Sequence, residues 1–234
     1  MKTITKIALW SLVALIAAGF TACKTDDPFS DLNENSLENT AWSLEKQETY
    51  NSTTEGWDTR HTYSDIDPSS LKHFLNGKRE LIDKTFDYSI DVEKKEFIQG
   101  GGRFPIVELT ANKFVYMTES KNSRSTYKRI PNMQSAKLYG KWQITGLQEY
   151  NVSTEQWNNG SFASGYFIEF NENGTGFNSL NDNCKYTITG NILNIECIYG
   201  RSFVVELTDD KLVFIHRYKG TGTKYIRETY KKRK

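Results

Sequence analysis

The chain repeats itself. The segment Trp42 to Trp57 (WSLEKQETYNSTTEGW) lies over Trp142 to Trp157 (WQITGLQEYNVSTEQW) without a gap, at an offset of 100 residues. Further on, Gly102 to Met117 lies over Gly200 to Ile215 at an offset of 98, with eight of sixteen positions identical. Two matched blocks in the same order mean two copies of one unit, and each copy must close a core of its own within about a hundred residues. The copies run over residues 38–130 and 137–231, and the junction from Pro131 to Ala136 is short enough to keep them neighbours.

Within each copy the hydrophobic period is 2. Phe203, Val205 and Leu207 alternate with Val204, Glu206 and Thr208, and Leu212 to Ile215 follows directly on a Thr-Asp-Asp turn. Asn76-Gly77, Asn173-Gly174 and Gly190-Asn191 are hairpin turns. Around Asp67 to Leu71 the repeat register favours a strand, against a capped short helix. No long amphipathic helix is expected, and the turns divide each copy into about seven or eight strands. A meander of that many short strands has to close or stack to hide its edges. The expected fold is all-β: two tandem antiparallel barrels or meanders of about 95 residues each.

One hairpin can be specified residue by residue. A two-residue turn at Gly190-Asn191 makes Thr189 and Ile192 the hydrogen-bonded closing pair. It then sets Ile188 against Leu193, Tyr186 against Ile195 and Cys184 against Cys197 on one face. Facing cysteines in such pairs are about 4.5 Å apart at Cα, within reach of a disulfide; two buried free thiols are the alternative. The matching positions of the first copy are Phe86 and Gln99, so the bond would reinforce one hairpin locally.

Leu138-Tyr139-Gly140-Lys141-Trp142 resembles the Gly-x-Trp that opens lipocalin and lipocalin-like domains. The stretches beginning at Phe167, Tyr186 and Val205 are similar to short lipocalin-like domains of bacterial lipoproteins. The resemblance implies a barrel-like antiparallel meander and the binding of something small. In the first copy Asn39-Thr40-Ala41-Trp42 keeps the Trp without the Gly, which leaves open how that barrel end closes.

The N-terminus carries an address. Lys2 and Lys6 precede an apolar run from Ile7 to Phe20, too short to cross a hydrocarbon core of about 30 Å and so a signal peptide over residues 1–22. Phe20-Thr21-Ala22-Cys23 resembles a bacterial lipobox, which implies lipidation of Cys23 by diacylglycerol and an N-linked acyl chain such as palmitate. Several chains together give a stable anchor. Lys24 in place of Asp points to the outer membrane, and Asp26-Asp27 resembles the acidic pair some bacteria use to send lipoproteins to the cell surface. Residues 23–37 read as the lipidated Cys and a flexible tether reaching roughly 20 Å.

Thirty basic and 29 acidic residues leave no broad basic surface, so no nucleic-acid partner is expected. No Gly-x-Ser-x-Gly, His-Glu-x-x-His, phosphate loop or Cys-x-x-Cys occurs, and His61, His73 and His216 are unmatched between the copies. We therefore expect no enzyme activity, cofactor or metal site. Trp42 and Trp142 read as plugs of a barrel end. Trp57 and Trp157 close a repeated polar segment, where they either clamp a loop or stack on a ligand. Inward positions rich in Phe, Tyr, Ile and Leu predict largely filled barrels. The expected function is a lipid-anchored envelope module that binds a small apolar molecule or a glycan. The alternative is a protein-binding accessory subunit or enzyme inhibitor of the envelope.

Overall fold

The computed structural model describes residues 27–82, 84–180, 183–196, 200–218 and 224–233. The signal segment, Cys23 and Cys197 lie outside them. The first half contains β1 (Thr40–Asn51), β2 (Gly56–Thr62), β3 (Lys72–Leu75), β4 (Lys78–Glu80), β5 (Thr85–Asp91), β6 (Glu96–Gln99), β7 (Gly102–Leu109), β8 (Lys113–Met117) and β9 (Ser123–Ile130). The second contains β10 (Gly140–Asn151), β11 (Gln156–Asn159), β12 (Phe167–Phe170), β13 (Thr175–Asn178), β14 (Asn183–Thr189), β15 (Ile192–Ile195), β16 (Gly200–Leu207), β17 (Lys211–Tyr218) and β18 (Lys224–Lys232). A 3-10 turn over Ser135–Lys137 joins the halves, and no α-helix occurs among the described residues.

Each half closes into an eight-stranded antiparallel barrel, because its first strand pairs with its last (β1 with β9, β10 with β18). The ninth strand of each half, β2 or β11, pairs with the far end of that first strand alone. On one edge of β1, β3 pairs only with Thr40–Trp42, and β2 takes the edge over from Lys46. A first strand that changes partners midway is why nine strands form where the turns mark seven or eight. The bulges repeat as well: the registers slip at Leu44/Lys46 and Ile144/Gly146, and again at Ile106/Glu108 and Val204/Glu206. A bulge re-aims a strand, so its recurrence shows that both copies bend their barrels at the same points.

The hairpin specified from the sequence forms in the expected register, Tyr186 facing Ile195, Ile188 facing Leu193 and Thr189 facing Ile192. Cys184 is 7% exposed, shares the barrel core with Tyr186, Leu193 and Ile195, and is disulfide-bonded. Its expected partner Cys197 is among the residues not described. At Asp67 the chain makes a turn in place of the expected strand. The Asp67 carboxylate accepts bonds from the Ser69 N–H and hydroxyl, and β3 starts only at Lys72.

Trp42 and Trp142 are fully buried, one in each core. In the second barrel the Trp142 indole N–H donates to the Leu138 carbonyl at 2.6 Å. In the first, where Thr40 stands in the position of Gly140, the Trp42 indole N–H donates to the Thr40 hydroxyl at 2.6 Å and that hydroxyl donates on to the Leu37 carbonyl. The missing glycine is thus answered by a hydroxyl relay, and the end closes. Residues 28–37, read from the sequence as the end of a tether, instead fold as successive turns against the first barrel. Leu37 is fully buried, Phe29 and Leu32 lean on the core, and the Pro28 carbonyl accepts the Leu109 N–H. Three apolar side chains in a polar segment are enough to dock it.

Inside the second barrel, a space of about 10 Å³ between Ile168, Phe170, Phe177, Cys184, Tyr186 and Ile195 is room for about one water. A third apolar cluster lies between the barrels. Ala41, Leu71, Ile82 and Ile130 from the first meet Tyr150, Ile192, Phe203, Ile215 and Tyr225 from the second. In a strand, successive side chains point to opposite faces, so Ala41 beside Trp42 and Ile192 beside Leu193 are outward positions that became an interface.

Candidate functional site

The cleft between the barrels is built on the β2–β3 loop, Tyr63 to Ser70. Trp157 on β11 donates its indole N–H to the Ile66 carbonyl at 2.8 Å, and Arg227 on β18 grips Asp65 with two bonds of 2.6 and 2.8 Å. Burial alone would raise the Asp65 carboxyl; Arg227 and the Ile66 N–H outweigh it and hold Asp65 below the usual carboxylate range. Arg227 also lies over the Trp157 ring, 4.5 Å from its centroid, while Tyr150 meets that ring at 5.1 Å. The loop is therefore held by Trp157 and Arg227 of the second barrel, with Tyr150 packed on the Trp157 ring.

What the clamp leaves open is a cleft of about 400 Å³, lined by His61, Tyr63, Asp65 and Asp67 from the first barrel and Gln148, Tyr150, Glu155 and Trp157 from the second. Across its mouth His61 Nε2 and Glu155 Oε2 are 3.2 Å apart. Burial, then the nearby Glu155, raises the Tyr63 phenol, and burial together with Asp67 raises that of Tyr150, so both stay hydroxyl donors over the physiological range. On the other side of the loop a second hollow of about 330 Å³ is bounded by Leu44, Glu45, Tyr63, Ile66 and Lys128. Aromatic faces beside carboxylate and amide groups form a surface that stacks on flat apolar faces and takes hydroxyls by hydrogen bonds.

The polar segment ahead of Trp57 and of Trp157 also has its physical cause. Asn51 Oδ1 accepts the N–H groups of Thr53 and Thr54, and Asn151 Oδ1 accepts those of Ser153 and Thr154. Glu55 and Glu155 both take positive φ, 49° and 54°. The repeated motif is a hairpin turn locked by an asparagine. The structure brings Trp157 to the cleft and leaves Trp57 away from it. Trp57 lies at 5.5 Å from Tyr50 and beneath Arg124 at 4.5 Å. Tyr50 is 42% exposed where its counterpart Tyr150 is 7% exposed, so the same platform is open in one copy and covered in the other.

Sequence reasoning did not single out Tyr63, Asp65, Glu155 or Gln148. They lie in loops or on strand ends, and only the docking of the barrels unites them. The charged partners of Arg124 and Arg227 offered a signal: Glu48 holds Arg124 at 2.6 Å within its own copy, but its counterpart Gln148 cannot neutralise Arg227. Among the described residues no group of three or more His, Cys, Asp or Glu comes together to hold a metal.

Residues 138–214, within the second barrel, match the family model described as a lipocalin-like domain. No curated protein matches the chain. Among solved structures, the chain is similar to a protein with unknown function from the DUF3598 family of Nostoc punctiforme. That likeness stands at 10% identity over 82% of this chain and 95% of that chain, with a TM-score of 0.29.

Proposed function

We propose that this protein is a non-catalytic binding module, held on the outer membrane by lipid at Cys23, that takes a glycan in the cleft between its barrels. The observation that carries the reading is the contrast in space. The space between Ile168, Phe170, Cys184 and Tyr186 in the second barrel is about 10 Å³, whereas the cleft offers about 400 Å³ lined by Tyr63, Tyr150, Trp157 and polar groups that suit hydroxyls.

The test is native mass spectrometry and glycan-array binding with residues 24–234, Cys23 replaced. A retained glycan mass, and array binding that falls tenfold or more in Glu155→Ala and Gln148→Ala, is the expected result. A bare monomer mass with no array signal overturns it. That outcome turns attention to the accessory-subunit reading.

A further inference from the structure

Strand β18 divides a basic run between its two faces. Lys232 faces Trp142 across the ladder and turns inward, its Nζ donating to the Lys137 carbonyl at 2.9 Å and standing 5.1 Å from the Trp142 ring. Successive side chains point to opposite faces, so Lys231 and Arg233 stand outside, and both are exposed. Lys231 lies directly between Lys211 on β17 and Gln143 on β10. The Arg233 N–H donates to the Lys141 carbonyl at 2.8 Å, which sets those two cations next to each other. On β12, Phe167 is cross-strand from Gln143, with Lys141 Nζ 3.5 Å from its ring centroid and Phe177 edge-on at 5.6 Å. One outer face thus carries Lys141, Lys211, Lys231 and Arg233 around a half-buried Phe167.

Charge on this face is unbalanced. Like charges directly opposite across a ladder destabilise a sheet, and Lys211 is directly opposite Lys231. Glu206 meets Lys211 at 2.8 Å, and Asp209 is taken by Lys137 at 3.2 Å. Among the described residues no ion pair joins Lys141, Lys231 or Arg233 to a carboxylate, although Glu169 sits across the ladder from Lys141.

The first barrel supplies the internal comparison. By repeat and ladder position, Ala41 stands where Lys141 does and Ile130 where Arg233 does. Leu71 stands where Phe167 does, since each precedes the residue paired with the core Trp. Ala41, Leu71 and Ile130 are buried in the apolar cluster that joins the barrels. The same outer face is therefore an interface in one copy. In the other it keeps an aromatic ring and exchanges the rest for cations, so it suits an anionic occupant where the first copy takes an apolar one.

We infer that this face of the second barrel docks on a lipid surface carrying phosphate head groups. The cations meet the phosphates, the lysine stems lie along the surface, and the Phe167 ring enters the boundary between head groups and chains. Charges spread over several strands, with no shared focus, suit a field of many phosphates better than one bound ion. Long flexible side chains match a fluid surface that adjusts to them, whereas a protein partner has to immobilise each one at an entropic cost. The inference rests neither on the glycan reading of the cleft nor on lipid at Cys23.

The experiment floats residues 24–234, Cys23 replaced, with vesicles of phosphatidylcholine alone and of phosphatidylcholine mixed with phosphatidylglycerol. Expected is binding to the anionic vesicles only, weakened by added salt and weakened about fivefold for each charge removed in Lys141→Gln, Lys231→Gln and Arg233→Gln. Phe167→Ser weakens it as well. Lys94→Gln, on the β5–β6 turn of the first barrel, removes the same net charge and leaves binding unchanged. Circular dichroism checks that each variant is folded. Absence of binding to anionic vesicles overturns the inference, as does equal binding to neutral ones, an affinity unmoved in the folded variants of the face, or an equal loss in Lys94→Gln. Binding of soluble polyglutamate through Lys141 and Arg233, with vesicles left unbound, assigns the face to an acidic polypeptide and overturns it too.

Discussion

Asp65 of the first barrel and Arg227 of the second form a two-pronged ion pair, at 2.6 and 2.8 Å, in which Asp65 supplies the carboxylate that Gln148 cannot. The matching arginine of the first copy, Arg124, pairs with Glu48 beside it, and that bond, with help from Lys46, holds the Glu48 carboxyl down at about 2. One arginine position therefore serves a strand pair in one copy and a domain interface in the other.

Asp65→Asn should loosen the docking of the barrels while leaving each one folded. Arg227 is largely covered and Asp65 half exposed, so the loss expected is about 1 kcal/mol. Small-angle scattering and proteolysis of the Tyr63–Ser70 loop read it: the variant should be cut faster there, with unchanged near-ultraviolet dichroism.

His73 should make docking sensitive to acid. Its ring is fully buried between the barrels, with Nδ1 facing Glu80 at 3.3 Å and Nε2 accepting the Asn191 N–H at 3.4 Å. Burial holds the imidazole below its ordinary value despite Glu80, while Arg201 also opposes protonation and Glu38 favours it. A histidine whose folded value is lowered contributes full stability above its unfolded value of about 6.5 and loses it as pH falls toward the folded one. Between pH 7.5 and 5.5 the melting temperature should drop further in the wild-type protein than in His73→Gln; equal slopes would count against this role.

Gly190→Ala should separate the barrels by steric means. Gly190 has φ of 55°, and an added Cβ would meet His73 Nε2 at 2.1 Å. The left-handed turn costs alanine about 1–2 kcal/mol, and the clash can be relieved only by moving the facing barrel. Faster cleavage across residues 131–137 with both cores intact is the expected outcome.

Thr40→Val keeps the shape of the side chain but removes the hydroxyl between the Trp42 indole and the Leu37 carbonyl. A buried donor and a buried acceptor are then left unpaired, at a cost of about 1–3 kcal/mol by chemical denaturation. Thr40→Ser should retain most of the wild-type value.

The barrels were legible because period 2, the hairpin turns and the repeat all point to one answer; the Gly190-Asn191 hairpin could be registered to the residue. Trp157 at a loop was legible too, as one of two possible roles. Lys72 was not. It lies between the two aligned blocks, just past the Asp67 to Leu71 stretch, and only the ladder pairing with Trp42 turns it inward. The cleft was hidden for a different reason. Its residues come from loops of both copies, and no periodicity within one copy encodes how the outward faces at Ala41 and Ile192 meet.

The self-sufficiency of Glu48 and Arg124 bears on how such molecules associate with one another at high concentration. A module that receives its neighbour's loop is a head-to-tail device, and head-to-tail contacts that repeat between molecules grow into open fibres. The first barrel carries the same Trp57 and Tyr50 platform, but its arginine is already neutralised within the strand pair. A Tyr63–Ser70 loop arriving from another molecule would find no unmet charge to grip. The docking is directional, and that asymmetry works against chains of molecules joined through the surface that joins their own halves.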